Sequence, residues 1–158
     1  MIFNKLYILI FLFFVSIVVQ AQPVTSTTYQ VKLETAVNAA ENNDYLTAIE
    51  WFEEAYKESK DPYLQISIGD MYMLLRDYAK AEKIYERVIK RDKRDEFFDI
   101  KLDYAKALKA QGKYKMALDE FNYFITTTEN DSLRNDAKIE LQGIMLMEKY
   151  PENIEASV

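Results

Sequence analysis

Two adjacent carboxylate pairs, Glu53-Glu54 and Asp119-Glu120, are the residues whose type and spacing come nearest to acid–base chemistry. Such chemistry needs one carboxyl held protonated in a pocket while its neighbour stays ionised. Nothing in the flanking residues marks such a pocket. Both pairs lie beside apolar positions at helical spacing and read as the solvated faces of amphipathic helices. Histidine and cysteine are both absent, which removes the commonest base at neutral pH, the thiolate nucleophile and the usual soft metal ligands. The run Glu129-Asn130-Asp131 lacks the Gly and closing Glu of an EF-hand calcium loop and reads as a turn and helix cap. No catalytic residue, cofactor or metal is expected, and the chain reads as a non-enzyme.

Two further features invite a binding role. Lys90-Arg91-Asp92-Lys93-Arg94 concentrates positive charge, but it is interleaved with acid and followed by Asp95 in a chain of formal net charge −6. A solvated loop is the expectation, and a nucleic-acid partner is not, because the net field opposes phosphate. Trp51 is the single Trp and stands one position before Phe52. A packing role at the edge of the core is the expectation for it.

The N-terminal residues form a separate unit. Lys5 precedes an apolar stretch at 6–19, and Val19-Gln20-Ala21 supplies the small-residue pattern of a signal-peptidase site. A signal peptide over 1–21 and a linker over 22–27 are expected, placing the mature chain in the periplasm or on the periplasmic side of an outer membrane. The apolar stretch is shorter than the roughly 20 residues that span a membrane as a helix, so no integral span is expected after cleavage. Cleavage would remove one Lys and no acid, leaving 19 basic against 26 acidic side chains. The remaining length suits one domain, and three Gly and three Pro favour helices over turn-rich sheet.

A repeat runs through the rest. Asp44-Tyr45-Leu46-Thr47-Ala48 leads to Phe52 and Ala55, Asp77-Tyr78-Ala79-Lys80-Ala81 to Tyr85 and Val88, and Lys113-Tyr114-Lys115-Met116-Ala117 to Phe121 and Phe124. Each has Tyr, Ala three residues on, an aromatic four further and an apolar residue three beyond. These steps return to one face of a helix. Twelve residues before each Ala lies another small residue, Ala36, Gly69 or Ala105, so small faces small across an antiparallel helix pair. Asp44, Asp77 and Asp61-Pro62 supply helix starts, and Gly112 supplies a turn. Helices are predicted at 27–42, 45–59, 62–75, 78–91, 96–110, 114–128 and 132–149. The last carries Leu133, Ala137, Leu141, Ile144 and Met145 at helical spacing and is stopped by Pro151. Its second line, Ile139, Gly143 and Leu146, predicts a helix covered on both sides, and 154–158 alternates like the start of a strand.

This pattern resembles the tetratricopeptide repeat (TPR), on Ala36, Ala48, Phe52 and Ala55 in the first unit, Gly69, Tyr72, Ala81 and Tyr85 in the second, and Ala105, Gly112, Ala117 and Phe121 in the third. The family's early Trp is replaced by Lys32, Gln65 and Lys101. Its late small residue becomes Val88 and Phe124, and its closing Pro becomes Lys60, Lys93 and Glu129. The step from Ala48 to Ala81 is 33 residues and from Ala81 to Ala117 is 36, so the extra residues fall in the 91–97 connection. The resemblance implies an all-α solenoid over 28–149, with repeats at 28–60, 61–94 and 96–129, a closing helix at 132–149 and a tail at 150–158.

It further implies that the first helix of each pair lines a hollow. The hollow-facing positions are then Gln30, Leu33 and Val37, followed by Tyr63, Ile66, Asp70 and Met73, and by Asp99, Leu102, Lys106 and Lys109. That set suits an amphipathic helix or extended peptide as protein partner. It lacks the lysine and asparagine of a carboxylate clamp, since Leu33 and Val37 stand there. Leu33, Ile66, Met73 and Leu102 are equally compatible with plain core roles. With Gln20-Ala21-Gln22 and the helix-then-strand ending, the layout is similar to the N-terminal TPR region of Bacteroidota envelope proteins of the outer membrane protein A type. This implies a non-catalytic scaffold for a partner or neighbouring domain, near the outer membrane or peptidoglycan-linked proteins. A part in outer-membrane biogenesis or protein secretion is the alternative, and an enzyme-accessory domain a third.

Overall fold

The computed structural model of the chain describes residues 24–149. Among them the order is α1 (Val24–Glu41), α2 (Tyr45–Ser59), α3 (Pro62–Leu74), α4 (Tyr78–Arg91), α5 (Ile100–Ala110), α6 (Tyr114–Thr127) and α7 (Asp131–Lys149), with no strand. The expected signal peptide and the strand-like tail lie outside the described residues. The chain divides into two units, Met1–Val31 and Lys32–Val158. The described part of the first is the opening turns of α1, which begins inside the segment expected as a linker. The second holds the rest of α1 and the other six helices. No described helix is long and apolar enough to cross a membrane.

The turns explain why helices recur at these spacings. Within each pair the chain reverses through a residue of positive φ: Asn43 at 61°, Arg76 at 59° and Gly112 at 74°. The next backbone N–H then donates five residues back, Asp44 to Ala39, Asp77 to Tyr72 and Lys113 to Leu108, at 2.9–3.0 Å. This closes the carbonyls that a helix end leaves open. Asp44 Oδ1 accepts from Thr47 N and Asp77 Oδ1 from Lys80 N, both at 3.3 Å, caps worth about 1 kcal/mol each. The third pair has Lys113 there, which makes no side-chain cap, and Gly supplies the left-handed turn without strain. Asp61 Oδ1 accepts from Tyr63 N at 2.9 Å, with Pro62 at the first turn of α3. Asn130 Oδ1 accepts from Ser132 N and Leu133 N ahead of most of α7.

Side-chain packing then stacks consecutive helices from α2 through α7, and α7 also meets α5. Ala36, Ala48, Gly69, Ala81, Ala105 and Ala117 are all buried, as are Phe52, Tyr85 and Phe121. At the middle pair, a Cβ built on Gly69 would lie 2.4 Å from the Tyr85 ring, so only Gly admits this approach. The late positions carry Val88 and Phe124, both buried, and Phe124 stacks on Phe98 with ring centroids 5.2 Å apart.

Three expectations need correcting. Helix α5 starts at Ile100, not near 96, because the Asp92 carboxylate accepts from Arg94 N at 3.2 Å and Phe97 N at 2.7 Å and Asp95 turns at φ 53°. Those bonds hold 92–97 as an ordered loop. On α7, Ala137 and Ile144 are buried, but Met145 is 58% exposed, pointing away from the core. The second apolar line of α7 is not covered either: Ile139 is 66% and Leu146 58% exposed.

Candidate interaction surfaces

Two clefts lie along α3, one toward its end and one at its start. The first gathers part of the set assigned to the hollow face. Its volume is about 480 Å³, and its walls include Met73, Tyr78, Lys106, Lys109 and Tyr114, with Glu140 and Met147 arriving from α7. Tyr78 and Tyr114, two of the three in-register tyrosines, occupy equivalent half-buried places at the start of their helices, as does Tyr45.

Charge in this cleft is matched internally. Lys109 Nζ donates to Glu140 Oε2 at 2.7 Å, which ties α5 to the closing helix. Gly143 leaves room for that ammonium, since a Cβ there would stand 3.1 Å from it. Lys106 pairs with Asp103 at 3.3 Å. On the same face of α3, Tyr85 donates its hydroxyl to Asp70 Oδ1 at 2.7 Å. Burial lifts the Asp70 carboxyl above its ordinary value, the Tyr85 bond opposes that shift and the Asp103 charge adds to it. Burial and the Asp70 carboxylate push the Tyr85 hydroxyl well above the usual phenol range.

The remaining hollow-face residues are divided. Val37 and Tyr63 are exposed, the latter at 64%, while Leu33, Ile66 and Met73 are half-buried, giving α1 and α3 a partly open apolar face. Gln30 is exposed on α1, and Asp99 is exposed just before α5. Leu102 is 2% exposed and belongs to the core cluster that includes Ala137 and Ile144 of α7, so its side chain is not offered to a partner. The closing helix also meets α5 and contributes Ala137 and Ile144 to the same cluster.

The second cleft was not visible in the sequence. It has a volume of about 530 Å³ and lies between the ends of α2 and α4, the start of α3 and the 92–97 loop. Gln65 and Val88 line it, and Lys60, Arg91, Lys93 and Arg94 surround it with Asp92 and Glu96. Phe97 forms one wall and meets Tyr63 edge-on with centroids 5.1 Å apart. The basic run expected as a solvated loop thus borders a cleft, because Asp92 folds the loop back on itself. Burial raises the Asp92 carboxyl, but the backbone N–H groups of Phe97, Glu96 and Arg94 outweigh that and hold it below its ordinary value.

The acid pairs take modest places. Trp51 is half-buried and shares a shallow hollow of about 300 Å³ with Glu50, Glu53 and Glu54. Lys57 donates to Glu54 and holds its carboxyl below the usual range. Burial raises Glu120, and Asp119 beside it is exposed; neither lines the two larger clefts.

No protein-family model and no curated protein matches this sequence. Solved structures do. The chain is similar to an Arabidopsis OM64 TPR domain, at 17% identity and a TM-score of 0.61, over 73% of this chain and 94% of that one. It is also similar to the Yersinia enterocolitica type III secretion chaperone SycD, solved with a peptide of the translocator YopD. That match has 16% identity and a TM-score of 0.65, over 80% of this chain and 99% of that one. A third is the second TPR domain of human RPAP3, solved with an HSP70 peptide, at 17% identity and a TM-score of 0.60, over 74% and 98% of the two chains. The fold is that of a TPR solenoid, as the repeat spacing predicts.

Proposed function

We propose that this chain is a non-catalytic protein-interaction scaffold of the cell envelope. It holds a partner peptide, helix or neighbouring domain through the first-helix face or the closing helix. One observation carries the reading: Met73, Lys106 and Lys109, all assigned to the hollow face from sequence, converge on one cleft with Glu140 and Met147 of α7. That cleft combines apolar and aromatic side chains with two lysines and a glutamate, the makeup of a peptide-binding groove. Two of the fold's neighbours, SycD and RPAP3, were solved with peptides bound, which supports the same use of the fold.

The envelope setting rests on Lys5, the apolar stretch and Val19-Gln20-Ala21. It implies a mature chain beginning at Gln22 and a partner among outer-membrane or peptidoglycan-linked proteins. N-terminal sequencing of the chain from a periplasmic fraction tests the first point; an intact Met1 in that fraction would refute it. A role in outer-membrane biogenesis or secretion is the second reading, favoured by the likeness to a secretion chaperone. A photo-crosslinker at Met73, compared with one at exposed Met116 on α6, tests the groove. Cell-wall proteins captured at Met73 support the scaffold and secretion components the alternative. A partner captured only at Met116 removes the groove from both.

A further inference from the structure

Three polar residues hold the same register, four positions before the small residue of each first helix: Lys32, Gln65 and Lys101. Two have partners. Lys32 pairs with Glu58 at 2.5 Å and Glu54 at 3.9 Å. Lys101 stands over the rings of Phe98 and Tyr123, at 4.9 and 4.7 Å, and reaches Asp95 at 3.6 Å. Gln65 differs. It is 5% exposed, and its amide makes no hydrogen bond within the described residues. Yet among the described residues no partnerless side-chain nitrogen or oxygen is sealed from solvent, so the amide opens on the cleft it lines. An amide facing a cleft pairs with water or with any ligand group that both donates and accepts.

The charges around it are also unmatched. Lys60, Arg91, Lys93 and Arg94 face Asp92 and Glu96, an excess of two positive charges in a chain of net charge −6. Asp92 is taken up by backbone N–H groups, and Glu96 lies 3.5 Å from Arg94. Lys60, Arg91 and Lys93 have no carboxylate at ion-pair distance among the described residues. Tyr56 holds two of them in place: its hydroxyl accepts from Arg91 Nη1 at 3.3 Å, and its ring lies 5.3 Å from Lys60 Nζ. Val88 and Phe97 add apolar wall.

We infer that this cleft binds an acidic, extended peptide segment of a partner protein, with the Gln65 amide on the peptide backbone and Arg91 and Lys60 on its carboxylates. A peptide offers what the cleft lacks in one molecule: an amide with donor and acceptor, negative charge, and an aliphatic side chain for Val88 and Phe97. A free phosphate would meet the cations and leave Gln65 and the apolar wall unused. A volume of about 530 Å³ falls within the range that encloses small ligands, so about three or four peptide residues fit. This surface is separate from the groove beside α7 and does not depend on it.

The test titrates the purified chain with a fluorescein-labelled, capped hexapeptide of alternating Glu and Leu. The same peptide with Lys for Glu, and inorganic phosphate, serve as comparison probes, and the Gln65 side-chain amide is followed by NMR. Saturable binding of the Glu peptide, with a shift of that amide and of the Val88 and Phe97 backbone signals, is the expected result. Arg91→Glu and Lys60→Glu should each weaken binding about tenfold, and Gln65→Leu should weaken it with helicity retained. The inference is overturned by no saturable binding up to millimolar peptide, by binding unchanged in Arg91→Glu, or by phosphate reproducing the Gln65 shift and displacing the peptide. Equal binding of the Lys peptide overturns it as well.

Discussion

The two clefts along α3 are of similar size and both carry lysines, yet they differ in what satisfies those charges. Beside α7 the cations are already paired, Lys109 with Glu140 across α5 and α7 and Lys106 with Asp103 within α5. Beside the 92–97 loop, Lys60, Arg91 and Lys93 have no such pair among the described residues, and the Gln65 amide that opens on the cleft has no protein partner among them either. A paired charge contributes to holding helices together, and removing one partner strands the other. An unpaired charge in a formed cleft does little for folding and is available to a ligand. Mutations should therefore separate the two by stability, and the close approach of Gly69 to Tyr85, which lines neither cleft, should be the most sensitive place of all.

Gly69→Ala should have the largest effect. Ala is normally favoured over Gly inside a helix by about 1 kcal/mol, but a Cβ here would stand 2.4 Å from the Tyr85 ring. Displacing that ring also pulls its hydroxyl from Asp70. A loss of about 1–3 kcal/mol is expected in urea unfolding. A gain in stability would mean that the α3–α4 approach is looser than described.

Next comes the direct comparison of the two clefts. Lys109→Ala strands half-buried Glu140 and loosens α7, so a loss of about 1 kcal/mol is expected after allowing for partial solvent screening. Arg91→Ala removes an exposed guanidinium whose polar partner is the Tyr56 hydroxyl, and the change should stay within about 0.5 kcal/mol. Equal losses in thermal or urea unfolding would erase the distinction between a structural and a free charge. Gln65→Leu follows, with the opposite sign. It replaces a largely buried amide that has no partner among the described residues by an apolar side chain in the cleft that Val88 also lines, and should raise stability by about 0.5–1 kcal/mol. A loss there would reveal a bond that the folded chain makes to Gln65.

How much of this was legible in the sequence follows from which interactions are local. The helix pairs were readable because small and aromatic residues at steps of three, four and twelve record contacts between neighbouring helices. The caps were readable because Asp44, Asp61 and Asp77 act on N–H groups two or three residues away. Asp92 acts over five residues and stops a helix that spacing alone extends to 96. Leu102 looked equivalent to Ile66, but it is a buried member of the cluster that also holds Ala137 and Ile144 of α7, whereas Ile66 is only partly buried against that cluster. The second cleft needs Tyr56, Gln65, Arg91 and Phe97 brought together from four segments, which no single spacing encodes. Its two sequence signals were the polar Gln65 at a buried register of α3 and a basic run leading into the longest connection.

The smallest effect expected is a slope with pH, and it sharpens the comparison because Asp70, one turn of α3 from Met73, and Asp92, in the cleft beside the loop, predict opposite signs. Burial raises Asp70 above its ordinary 3.8, with Tyr85 opposing the shift and Asp103 reinforcing it. The folded chain therefore holds the Asp70 proton at a pH where the unfolded chain has released it. Stability from this group is greatest below 3.8 and declines as pH rises through the raised value, then stays level. Asp92 in the other cleft is held below 3.8, so its contribution is present above that value and is lost only as pH falls beneath it. Glu120 is also raised by burial and follows Asp70 in sign, so the raw curve does not isolate either group. Asp70→Asn does: the amide can still accept from the Tyr85 hydroxyl but cannot ionise. The stability of Asp70→Asn relative to the parent chain, from urea midpoints at several pH values upward from about 4, should rise with pH and then level off. A difference that stays flat across that range would mean that the Asp70 carboxylate is solvated in the folded chain, and the face of α3 beside α7 would then be as open as the face beside the loop.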